Sequence, residues 1–72
     1  MKTIELLNKV SEMGFNREMA LVYIDMTLDC KIGVENRKSL ADEEISDDLA
    51  NDILFGFKCI IEESIKEYNI YK

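Results

Sequence analysis

"SEMGFNREMALVYIDM", residues 11 to 26, is the stretch that decides how this chain folds. A glycine stands between Met13 and Phe15, and beyond it comes a run of apolar residues too dense for an ordinary surface helix. Gly14 falls where a helix ending calls for a positive φ, and Phe15 falls where such an ending places its apolar contact back onto the last turn. Asn16 is then a good N-cap for a new helix. The stretch reads as a joint between two helices.

Upstream of the joint, Leu6, Leu7, Val10 and Met13 recur at three- and four-residue steps. This spacing predicts a first helix over about residues 4 to 13, with Thr3 as its cap. Downstream, Met19, Ala20, Leu21, Val22, Tyr23, Ile24, Met26, Leu28 and Cys30 cover most of the circumference of a second helix, about residues 17 to 30. Only Glu18, Asp25 and Asp29 form a polar stripe. Such a helix belongs at the centre of the fold, with its two methionines and its tyrosine in the core; the alternative for these three is a pliable binding surface.

"KIGVENRKS", residues 31 to 39, breaks the pattern with a glycine, an asparagine and three cations, and reads as a mobile loop. Ser39 and Asp42 have the spacing of a capping box, and Ser46 offers a second helix start, so a short helical turn is expected ahead of a longer helix. From about residue 47 to 68, Leu49, Ile53, Phe57, Ile60, Ile61, Ile65 and Tyr68 step by threes and fours, making a stripe able to lie across the first two helices. Gly56 interrupts that helix at a cost of about 1 kcal/mol relative to alanine, and serves either a close approach or a bend. The expected architecture is all-α, a small three- to four-helix bundle with a long C-terminal helix, in one domain over residues 1 to 72.

A chain of 72 residues has material for a single core and hides only ~60% of its unfolded surface, which makes association a natural way to bury more. Fifteen acidic against nine basic side chains give a formal charge of −6. That sign argues against direct nucleic-acid binding and against a membrane surface, and favours a partner protein with a basic or apolar surface. "MKTIELLNKVSEM" lacks the apolar core of a signal peptide, no stretch approaches the ~20 residues that cross a bilayer, and the expected location is the cytoplasm. Cys30 and Cys59 fit no metal-binding pattern and are expected as thiols.

The chain contains no histidine, which removes the commonest general base and the commonest transition-metal ligand. No phosphate-cradling glycine motif occurs. The expectation is a protein without catalysis, cofactor or metal.

"DEEISDDLAND" places Asp42, Glu43, Glu44, Asp47, Asp48 and Asp52 in one run without a cation. It lacks the central glycine of a calcium loop. What remains is a solvated acidic face, favourable at a helix amino terminus, or a surface that mimics a phosphate backbone and engages a basic partner. On the long helix, Phe55 and Cys59 lie opposite the apolar stripe, bordered in projection by Asp48, Asp52, Glu62 and Lys66. An exposed phenylalanine ringed by charge has the character of an interface anchor, unless the helix changes phase at Gly56 and turns both side chains inward, or both pack under the loop of residues 31 to 39.

"MGFNREMA" resembles the loop of ubiquitin-associated (UBA) domains, in which a first helix ends in Met-Gly-Phe and an alanine follows five residues after the phenylalanine. Met13, Gly14, Phe15 and Ala20 stand in those places, over a resemblance covering about residues 4 to 28. It implies that Met13 and Phe15 contact a ubiquitin-like surface. The connection and the long acidic helix that follow depart from that family's short third helix.

Together these features read as a non-catalytic acidic interaction module, a small regulator or inhibitor of bacterial or phage type that binds a larger protein or nucleic-acid-handling machine. The alternatives are a homodimeric assembly unit and a UBA-like module.

Overall fold

The computed structural model describes the backbone of residues 1 to 70 and the side chains of residues 1 to 63; Ile65, Lys66 and Tyr68 fall outside the described side chains. The fold is all-α. Helix α1 spans Thr3–Glu12, α2 spans Arg17–Ile32, a 3₁₀ turn covers Val34–Asn36, and α3 spans Asp47–Ile70, the longest of the three. Among the described residues the only extended pairing is an isolated antiparallel bridge between Lys2 and Glu44. No helix, among the described residues, is long and apolar enough to cross a membrane.

The joint forms as its chemistry dictates. Gly14 adopts φ 104°, and the Asn16 side chain accepts a hydrogen bond from the Met19 amide at 3.1 Å, capping α2. Phe15 turns inward, its ring packing edge-on against Phe57 at 4.8 Å between centroids. Helix α3 begins beside Met1, where the Ile45 amide donates to the Met1 carbonyl at 2.8 Å, and reaches Phe15 and Tyr23 by Phe57. It therefore runs alongside α1 in the same direction. Leu6, Leu7 and Val10 of α1, Ala20, Ile24 and Leu28 of α2, Ile45 in the connection, and Ala50, Ile53 and Phe57 of α3 form the core.

Several sequence expectations change. Thr3 is not the cap of α1 but its first residue, fully buried, with Lys2 flanking the helix. Helix α2 is not enclosed. Met19 and Met26 are 71% and 64% exposed, and Tyr23 is also open to solvent, because α1 and α3 together cover only the face carrying Ala20, Ile24 and Leu28.

Residues 31 to 39 hold a defined course instead of a loose loop. Helix α2 continues to Ile32, Gly33 turns the chain at φ 98°, and Arg37 is bonded back onto α2. Ser39 donates to the Asp42 carboxylate at 2.9 Å, but the segment makes a turn without a helix; Ser46 caps α3 by accepting from the Leu49 amide at 3.2 Å. Helix α3 runs unbroken through Gly56, where an added Cβ would lie 3.5 Å from the Tyr23 hydroxyl, an ordinary contact, so neither a break in the helix nor close approach requires the glycine.

Candidate interaction surfaces

The segment from Leu40 to Ile45 folds over the amino end of α1, where the first amides of any helix lack intrahelical acceptors. The Thr3 amide donates to the Glu43 carbonyl at 3.0 Å and the Ile4 amide to the Leu40 carbonyl at 3.1 Å. This covering carries the Glu43 side chain inside, to 3% exposure. Its carboxylate accepts from the Thr3 hydroxyl at 2.8 Å, from Arg37 Nε at 2.8 Å and from the Lys38 amide at 3.1 Å. Burial pushes the Glu43 carboxyl upward, but the Arg37, Lys38 and Thr3 hydrogen bonds outweigh it and hold the group below the usual carboxylate range.

Arg37 completes the node. Nη1 donates to Asp29 Oδ1 at 2.6 Å and to the Asp25 carbonyl at 3.0 Å, and Nη2 donates to Asp25 Oδ1 at 2.8 Å. Three carboxylates from α2 and the connection thus surround one guanidinium, whose planar fork suits several acceptors at once. Glu43 was expected among the solvated acids of a recognition face. Its place in the interior, bonded to Arg37, removes it from that face. Asp25 and Asp29, the polar stripe of α2, serve the same node. Sequence reasoning missed Arg37; the available signal was a loop arginine, one of only two in the chain, following a stripe of acids without an evident counter-charge.

The other five carboxylates of the run are exposed. The Met1 amino group donates to Glu44 Oε1 at 2.7 Å and lies 3.7 Å from Asp47 Oδ1. Asp47 and Asp48 occupy the first turn of α3, where the helix dipole favours negative charge. Phe55 is 69% exposed, and Asp48, Asp52 and Glu62 are exposed around it, while Cys59 is half-buried and, like Cys30, a free thiol. Asp42 accepts from the Ser39 hydroxyl at the turn before it. Met13 is half-buried against the core, and Phe15 is committed to Phe57.

A second surface lies on α2, where the sequence offers a pliable binding surface as the alternative to a core place for its methionines and tyrosine. Met19, Val22, Tyr23, Met26 and Cys30 recur at three- and four-residue steps along the side of α2 turned away from the core, and all five are exposed. Tyr23, Met26, Thr27, Cys30 and Lys31 line an open apolar hollow of ≈ 340 Å³ there. Tyr23 marks its border with α3, since its ring packs edge-on against Phe57 at 4.9 Å and its hydroxyl lies over Gly56. Asp52 and Cys59 are one turn before and one turn after Gly56, within roughly 60° of it around the helix axis, so they project from the side of α3 that borders α2.

Among the described residues, no three histidine, cysteine or acidic side chains converge on a metal-binding arrangement. What these surfaces offer is apolar contact beside negative charge. No protein-family model matches the chain, and comparison with curated proteins and with solved structures gave no match.

Proposed function

We propose that this protein is a non-catalytic interaction module that engages a basic or apolar surface of another protein through Asp42, Glu44, Asp47, Asp48 and Asp52, with the Phe55 ring as apolar anchor. The supporting observation is Phe55 itself: a large aromatic ring 69% open to solvent amid exposed carboxylates, on a helix whose opposite face already supplies the core. Aromatic anchors ringed by polar residues dominate binding energy at interfaces, and clustered charge accelerates encounter with a partner of opposite sign. A cytoplasmic regulator or inhibitor of bacterial or phage type, one that occupies a nucleic-acid-binding surface by presenting acids in place of phosphates, fits this arrangement.

The test is affinity capture from lysate with the wild-type chain, with the combined Asp47→Asn, Asp48→Asn and Asp52→Asn variant, and with Phe55→Ala. Capture of a partner by wild type that is lost with either variant supports the reading. An identical set of captured proteins across all three refutes it.

A further inference from the structure

We infer that the outer face of α2 is a docking strip for a cationic amphipathic helix of a partner protein. The inference rests on the interaction reading above and names the partner's chemistry.

Helix α2 is apolar on two opposite sides. One carries Ala20, Ile24 and Leu28 into the core, and the other carries Met19, Val22, Met26 and Cys30, exposed among the described residues, with Tyr23 at its edge against Phe57. Exposed apolar side chains in a contiguous row are unusual on a monomeric protein and mark binding surfaces. From Met19 to Cys30 the row is about 17 Å long, or three helical turns, enough to receive the i, i+3, i+4, i+7 anchors of a helix laid into a groove, which span about 10 Å. Two of its side chains are methionines, whose unbranched thioethers adapt to varied apolar partners.

Charge selects the occupant. Asp52 stands on α3 one turn before Gly56, on the side that borders α2, and Glu18 is exposed on the opposite edge of the row; Lys31 is the single cation lining the hollow, at its far end. A second copy would bring the same acidic borders and another −6 of charge against this strip. A helix with an apolar face flanked by lysine or arginine matches both the row and its edges.

The test is an amide chemical-shift titration of the full chain with a designed 14-residue peptide that has leucine on one helical face and lysine elsewhere. Its control has the same composition in an order that presents no apolar face. Saturable binding with shifts centred on Val22, Met26 and Cys30, weakened at least tenfold both for the control peptide and for a Val22→Glu, Met26→Glu variant, supports the inference. Circular dichroism and the urea midpoint verify that this variant is folded; if it is not, Val22→Gln, Met26→Gln carries the same comparison. Equal binding of the two peptides, or shifts centred away from α2, overturns it. So does sedimentation showing a concentration-dependent dimer that Met26→Glu dissolves, since a second copy then covers the strip. In the lysate capture, loss of the partner with the Asp47, Asp48 and Asp52 variant but not with Val22→Glu, Met26→Glu refutes the α2 strip and leaves the broader interaction reading standing.

Discussion

Arg37 Nε donates to Glu43 Oε2 at 2.8 Å, so the one acid of its run that has left solvent is met by a cation only 13% exposed. The Glu43 hydrogen bond, against the cost of burial and together with Asp25 and Asp29, raises the Arg37 pKa above arginine's already high value, so the guanidinium stays charged at any pH the protein meets. Removing one member of such a pair leaves the other charge buried without compensation. Arg37→Ala is expected to lower unfolding free energy by about 3 kcal/mol. Arg37→Lys should recover only part of this, because an ammonium cannot serve Glu43, Asp25 and Asp29 through a planar fork. Urea denaturation of the three proteins checks the order.

Acid should weaken the fold through the same carboxylate. The Glu43 pKa is lower in the folded chain than in the unfolded one, so its contribution is complete above the unfolded value of about 4.5 and disappears as pH falls through the folded value. Urea midpoints measured downward from pH 7 should fall below about pH 5. In Glu43→Gln the curve should start lower and decline less. An equally steep acid limb in that variant would assign the effect to other carboxylates.

Phe55 and Phe57 are two residues apart and should behave oppositely. Phe57 is buried between Phe15 and Tyr23, and its truncation to alanine should cost about 3 to 5 kcal/mol. Phe55→Ala removes a ring standing in water and should change stability by no more than about 0.5 kcal/mol. Thermal or urea melts of the two variants provide the comparison, and a large loss in Phe55→Ala would show that its ring packs.

The glycines divide in the same way. Gly14 has open space around its α-carbon but φ 104°, so Gly14→Ala should destabilise by about 1 kcal/mol through backbone conformation alone. Gly56 sits within α3 with ordinary helical geometry, and an added methyl would meet the Tyr23 hydroxyl at a normal contact distance. Gly56→Ala should therefore stabilise by about 1 kcal/mol. Melting temperatures moving in opposite directions are the expected outcome.

What the sequence revealed was what neighbouring residues decide among themselves. Gly14, Asn16 and Ser46 act on groups a few residues away, and the helix joint and the start of α3 follow from their local chemistry. The first part of the α3 stripe, Leu49, Ile53 and Phe57, was legible for the same reason, and it put Phe55 on the outer side; Ile60, expected in the same stripe, is exposed. Glu43 was not legible, because one acid among six differs from its neighbours only through Thr3, forty residues earlier in the chain, and through an arginine in a separate loop. Nor was the bare side of α2. An apolar circumference states that a helix can be surrounded, whereas whether anything surrounds it depends on how much chain is left to do so, and here two helices cover one side only.

The Arg37 node also governs cooperativity. Thr3 belongs to α1, Asp25 and Asp29 to α2, and Glu43 to the stretch entering α3, so the set of hydrogen bonds is complete only when all three parts of the chain have met. The helical hairpin is thus no self-sufficient subdomain: its leading amides wait for acceptors that arrive last along the polypeptide. The guanidinium acts as a keystone, and the molecule should assemble and melt as one indivisible unit.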